Sequence, residues 1–213
     1  DDNYTVNKQE GKLKITANEK ELKVESSTKS WTYDGQTHTD EVYTVTFGED
    51  QSGNATKQEN GTYTYTITYG EGDAQVTDTV TITPTAEGVK DYDESYEKNN
   101  TYTATVTNES SYKTFTKEVG TLSIDKRVVT LVSEGGEKPY DGTPLTKPTV
   151  TGWQQSGDNG FVTGEVSDVK ATGSVTTVED GEVTNTIVYT KGAGYKDDNY
   201  TVNKQEGKLK ITA

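Results

Sequence analysis

The chain has 213 residues, only 28% of them hydrophobic, with 35 acidic side chains against 21 basic ones and neither cysteine nor methionine. With a net charge of −14 and a single arginine, nucleic acid is not an expected partner, because phosphate neutralisation needs a basic face, and binding to an anionic membrane is disfavoured for the same reason. No stretch approaches the roughly 20 apolar residues of a membrane-spanning helix. So polar a composition alone permits disorder, but the 14 tyrosines, with valine and abundant threonine, alternate with polar residues over long stretches. Those are the residues that suit a pleated, half-buried surface, so the expected fold class is all-β. Zero cysteine fits either the cytosol or a disulfide-free cell surface.

The chain opens on DDNYTVNKQEGKLKITA, and the same seventeen letters close it at residues 197–213. Identity in register over that length reflects recent duplication, and the offset of 196, which is 197 less 1, implies a tandem array of 196-residue units. Residues 1–17 are then expected to be the closing strands of a preceding repeat, with an open edge that pairs with something, a neighbouring molecule being the preferred partner.

A weaker repeat lies inside the unit. A glycine-led strand, a polar hinge, a second strand and an aromatic turn run from Gly11 to Tyr33-Asp34-Gly35 and again from Gly120 to Tyr140-Asp141-Gly142. The division expected is a first β domain over 18–125 and a second over 126–213. In the first, strands are predicted at 21–25, 42–47, 63–69, 76–82, 102–106, 112–115 and 122–124, separated by turn signals at sandwich-like spacing. The stretch from Pro84 to Asn100 reads as a loop. In the second, strands are predicted at 128–132, 149–151, 164–169, 173–178, 183–189, 200–202 and 209–211. Asp180-Gly181 reads as a hairpin turn and 156–160 as an exposed loop. No helix longer than two turns is expected. The junctions Ile124-Asp-Lys-Arg-Val128 and Ile15-Thr-Ala-Asn-Glu19 lack Gly and Pro, which predicts little slack between successive domains.

Few residues invite a chemical role. His38 is the one histidine and there is no cysteine, so no second candidate base exists for a conventional nucleophilic triad; it reads as an exposed loop residue. The acids at Asp91-Tyr-Asp93-Glu94, Asp197-Asp198 and Glu49-Asp50 lack the alternating ligands and glycine of a calcium loop and read as solvated. Neither a metal nor a cofactor is expected. The most specific local signal is the Tyr-Asp-Gly pair, Tyr33, Asp34, Gly35 and Tyr140, Asp141, Gly142. Asp can bond the backbone two residues on, Gly accepts positive φ, and Tyr can anchor the turn. A Lys–Asn or Lys–Asp isopeptide crosslink is open to cysteine-free stalks, although lysines such as Lys23 and Lys113 read as solvent-facing. Trp31, beside the first turn, reads as core; Trp153, between Gly152 and a polar loop, is equally suited to core and to an exposed sugar platform.

From Glu137-Lys-Pro-Tyr-Asp-Gly-Thr-Pro-Leu145 through Gly173-Ser-Val, Asn185-Thr-Ile and Asn199-Tyr-Thr-Val, the second domain resembles the Tyr-Asp-Gly repeats of very large, wall-anchored surface proteins of Firmicutes, often described as adhesins. The first domain resembles them through Tyr33-Asp-Gly35 and Gly120-Thr-Leu-Ser-Ile124. The resemblance implies two tandem immunoglobulin-like β-sandwiches, with a β-grasp-like topology as the alternative, in an extracellular, cell-surface stalk of a Gram-positive cell. Wall attachment would come through regions outside this sequence, and no catalytic residue is carried over. The partners expected are neighbouring repeats of the same chain. The runner-up reading is that the repeats bind host glycan or mucin, gaining strength through multivalency, with Trp153 as the contact.

Overall fold

A computed structural model of the chain describes residues 4–92 and 97–213. The protein is all-β. Among the described residues the only helical elements are three single 3₁₀ turns, Gly72–Ala74, Glu109–Ser111 and Asp197–Asn199.

The first repeat supplies ten strands: β1 (Leu22–Ser26), β2 (Lys29–Thr32), β3 (Tyr43–Phe47), β4 (Gln51–Asn54), β5 (Thr56–Lys57), β6 (Tyr63–Tyr69), β7 (Val76–Pro84), β8 (Tyr102–Val106), β9 (Phe115–Glu118) and β10 (Leu122–Asp125). The second supplies β11 (Arg127–Ser133), β12 (Gly136–Pro139), β13 (Leu145–Thr146), β14 (Val150–Thr151), β15 (Val166–Ala171), β16 (Ser174–Val175), β17 (Glu182–Thr184), β18 (Ile187–Lys191), β19 (Tyr200–Gln205) and β20 (Lys208–Thr212).

Both repeats close the same way. The opening strand is split in two, the final strand is split in two, and the halves pair in parallel: β1 with β9 and β2 with β10, then β11 with β19 and β12 with β20. Parallel neighbours cannot be joined by a tight turn, so each repeat must wrap its whole length between them. Only Lys126 separates β10 from β11.

The chain forms two compact units, and they do not run along the repeat seams. One comprises 1–27, 41–85 and 101–119; the other comprises 28–40, 86–100 and 120–213. Two of the cuts, at 27/28 and 119/120, fall at the polar hinges within the split strands of the first repeat, so β2 and β10 belong with the second unit. In the first unit the sheets β4-β3-β1-β9 and β5-β6-β7-β8 bury a common core. Leu22, Val24, Tyr43, Val45 and Phe47 meet Tyr63, Ile67, Val80, Ile82, Tyr102 and Ala104, the alternate inward positions of a face-to-face sandwich. In the second unit, Tyr33, Val89, Leu122 and Ile124 share a core with Val129, Leu131, Val150, Phe161, Ile187 and Tyr200, while Val175, Leu209 and Ile211 form a smaller cluster.

Most predicted strands stand close to their expected bounds, with three corrections. The strand expected at 112–115 starts at Phe115, because Tyr112 closes a 3₁₀ turn through its N–H to Glu109 O. The strand expected at 173–178 shrinks to Ser174–Val175, so the turn at Asp180-Gly181 joins β16 and β17, which pair with β13 and β20 and not with each other. The strand expected at 183–189 is interrupted at Asn185, whose backbone and side chain bond outside the ladder.

Candidate functional site

The two Tyr-Asp-Gly turns are the same local object. Tyr33 N–H donates to Asp125 O and Tyr140 N–H to Thr212 O, both at 2.9 Å. Asp34 Oδ1 accepts from Gln36 N at 2.8 Å and Asp141 Oδ1 from Thr143 N at 2.9 Å, and the glycines that follow sit at φ +79° and +78°. An aspartate bonding two residues ahead, then a left-handed glycine, is the turn chemistry these letters encode. Both aspartates titrate low. For Asp34, burial pushes the carboxyl up, but the Gln36 N–H and the His38 ring outweigh it; for Asp141, the Lys138 ammonium and the Thr143 donors pull it down.

Tertiary surroundings then separate them. Tyr33 is 1% exposed and Tyr140 is 59% exposed. The Tyr33 hydroxyl donates to Glu165 Oε1 at 2.6 Å, and the other Glu165 oxygen accepts from Tyr200 at 2.7 Å; the two rings meet edge to face at 5.4 Å. Burial first, and then the Glu165 carboxylate, hold both phenols well above the ordinary tyrosine value. Arg127, the only arginine, completes the knot. It is fully buried, and its guanidinium donates to four main-chain oxygens: Tyr33 O at 3.1 Å, Gly160 O at 2.6 Å, Gly157 O at 2.5 Å and Asn159 O at 2.7 Å. A planar cation with five donors matches that diverging set of acceptors, whereas an ammonium would not. The loop at 156–160, exposed as expected apart from Gly160, thus has its carbonyls turned inward.

The first unit contains a comparable knot. Buried Asp78 accepts from Tyr112 at 2.7 Å, Tyr69 at 2.9 Å and Asn108 Nδ2 at 2.9 Å. Burial would raise its pKa, but the three donors outweigh it and leave the carboxylate below its ordinary value. Buried charge is tolerable only when hydrogen-bonded in this way.

Sequence reasoning missed a second repeated device. Asn100 and Asn185 are fully buried. Their N–H groups donate to Gly120 O at 3.1 Å and Gly207 O at 2.8 Å, and their amides donate to Asp40 O at 3.0 Å and Lys147 O at 2.8 Å. Asp40 and Lys147 stand at corresponding positions after the two Tyr-Asp-Gly turns, and Gly120 and Gly207 lead the two closing strands. Each asparagine therefore staples the hinge of a split strand to its own repeat. The available signal was an Asn about twenty residues before each of those glycines.

Trp153 is half-buried and lines a cleft of about 380 Å³ with Gln154, Gln155, Phe161, Thr163 and Val166. Its position follows from Gly152, at φ +81°, where a Cβ would stand 1.9 Å from Thr130 O. Gln155 Oε1 accepts from both the N–H and the hydroxyl of Thr163 at 2.9 Å. The cleft thus sets aromatic side chains beside amide and hydroxyl groups, an apolar lining with polar groups around it.

His38 is a correction: it is half-buried, stacked on Trp31 with centroids 4.9 Å apart, and bonded to Asp34 Oδ1 at 2.9 Å. The surrounding strand bridge to Val89 holds it there. Trp31 is half-buried against the second unit's core. Among the acidic clusters, Asp50 pairs with Lys20, Asp197 with Lys191 and Asp91 with Lys196, while Asp93 and Glu94 lie outside the described residues. Lys23 pairs with Glu25 and Lys113 with Glu19.

Comparison with protein-family models, with curated proteins and with solved structures gave no match in any of the three.

Proposed function

We propose that this chain is a non-catalytic structural repeat, an extracellular spacer of a cell-surface, adhesin-like protein built from immunoglobulin-like sandwiches. One observation carries the reading. Where the first repeat hands over to the second there is no linker: Tyr33 and Arg127, from consecutive repeats, are locked into one buried knot with Glu165 and Tyr200. Transferring load from repeat to repeat requires such a seam, because a hydrogen-bonded core yields only when several contacts break together. The acidity of the chain suits long exposed arrays, which stay soluble and apart through self-repulsion.

Single-molecule pulling tests the spacer role. Arg127→Met should lower the force of the first unfolding event, and an unchanged force distribution would remove the mechanical argument. Surface location is tested separately, by whether antibody against residues 18–213 labels intact cells that make the protein.

The Trp153 cleft favours a second reading, in which the repeat itself holds host glycan or mucin, weakly per site and strongly by multivalency. A glycan array probed with wild type and Trp153→Ala discriminates: signal that depends on Trp153 supports the lectin-like role, and a blank array leaves the spacer.

A further inference from the structure

The closing strands of the second repeat occupy a defined groove. β19 lies parallel to β11 over six residue pairs, Arg127–Val132 with Tyr200–Gln205. β20 is inserted between two neighbours, parallel to β12 and antiparallel to β17. Tyr200, Leu209 and Ile211 fill the groove, each at most 5% exposed, and Tyr200 also accepts from Val162 N at 3.0 Å.

The same chain carries a second, chemically identical occupant. Tyr4, Leu13 and Ile15 correspond to Tyr200, Leu209 and Ile211 at an offset of 196, yet Tyr4 is 87% exposed and Leu13 and Ile15 are fully exposed. Residues 4–17 belong to no strand. They present the alternating apolar side chains and unpaired backbone groups of a strand without a sheet, the pattern that recruits another chain.

We propose that residues 4–15 are a donor strand pair that a second copy of this chain accepts in the groove otherwise filled by its own residues 200–211. Inside the groove the two occupants are indistinguishable over every matched position, so the exchange changes no contact there. Occupancy is decided by concentration alone: a tethered strand competes at an effective concentration in the millimolar range. Near 1 mM protein, about half the grooves should therefore take a strand from another copy once the termini are released together. Because donor and groove are different surfaces of the chain, the contact is heterologous and propagates head to tail instead of closing as a symmetric dimer. The inference is made for the 213-residue chain, uses only the duplicated sequence and the groove, and stands without the surface-spacer reading.

The test refolds the 213-residue chain from denaturant at about 1 mM and at about 1 µM, then measures mass by size exclusion with light scattering. Wild type should give dimers and longer species at the higher concentration, tens of per cent of the total, and monomer at the lower one. The double variant Leu13→Asp/Ile15→Asp, altered only at fully exposed positions, should stay monomeric at both. Wild type that remains monomeric at the higher concentration overturns the proposal, as do oligomers that persist in the double variant. A disulfide trap reads the register directly. Thr130 pairs with Asn203, whose counterpart is Asn7, so mixed Asn7→Cys and Thr130→Cys proteins should crosslink several-fold more than Glu10→Cys with Thr130→Cys. Equal yields would sink the register, and the intramolecular pair Thr130→Cys/Asn203→Cys reports that Cys at 130 is tolerated.

Discussion

Tyr33 and Tyr140 begin the same three-residue motif, make the same main-chain bond to a closing strand and precede glycines with the same φ. One is buried with its hydroxyl on a carboxylate; the other stands mostly in solvent. The difference comes from the surroundings that distant parts of the chain supply to each turn. Around Tyr33 the second repeat brings Glu165, Tyr200 and Arg127, whereas around Tyr140 nothing comparable is present among the described residues. Local sequence makes the turn, and burial by a following repeat converts the turn into a joint.

The largest effect should come from removing the cation that makes the joint. Arg127→Met leaves four carbonyl oxygens without their charged donor, which should cost about 3–4 kcal/mol. In calorimetry the transition of the second unit should fall by roughly 10 °C, and a shift within about 2 °C would mean the joint is dispensable. Next comes the hydroxyl itself. Tyr33→Phe strands a buried carboxylate oxygen and should lose about 1.5–3 kcal/mol, while Tyr140→Phe should change urea stability by no more than about 0.5 kcal/mol. Equal losses would erase the contrast between the two turns.

The glycines sharpen the comparison further. Alanine at either position is strained by about 1–2 kcal/mol, since both have positive φ. At Gly35 the added Cβ would also stand 3.2 Å from Val162 Cγ1, while at Gly142 it meets open space, so Gly35→Ala should be the more damaging of the two in the same urea series. The smallest and most graded test is pH. Asp34, Asp78 and Asp91 sit below the ordinary value of 3.8, so their contribution is present above that pH and is lost as pH falls through their folded values. Tyr33 and Tyr200 sit above the ordinary 10.0, so theirs is present below pH 10 and is lost as pH rises towards the folded value. Tyr102, pushed by burial up to about 12, adds to the alkaline loss in the first unit. Tyr33→Phe should blunt the alkaline decline seen in urea melts, and Tyr140→Phe should leave it unchanged.

Much of the fold was legible because period-two alternation is a local property. Tyr63–Tyr69 and Tyr102–Val106 read directly as strands, since every second side chain had to face a core. The strands that escaped have weak alternation, such as Gln51–Asn54 and Gly136–Pro139, which are half-exposed edges held by their neighbours. The turn geometry at Tyr33 and Tyr140 was readable, because Asp and Gly encode it within four residues. Arg127 was visible only as the lone arginine. Its acceptors lie thirty or more residues ahead and ninety-four behind it, and no local pattern announces a cation bound by carbonyls. The asparagine staples also bond far along the chain, to Asp40 and Lys147, and only the repeated spacing of Asn100 and Asn185 ahead of Gly120 and Gly207 pointed to them.

The sharpest demonstration is the duplicated segment. Over residues 4–17 and 200–213 the letters are identical, yet one copy holds two strands with a buried Leu and Ile and the other holds none. Sequence by itself determined which residues were fit to be strands, through alternation, and which turns could form, through Asp and Gly. Whether a strand actually formed was decided by tertiary structure, because an extended segment has no hydrogen-bond partners or apolar shelter of its own and acquires both only from a neighbouring sheet.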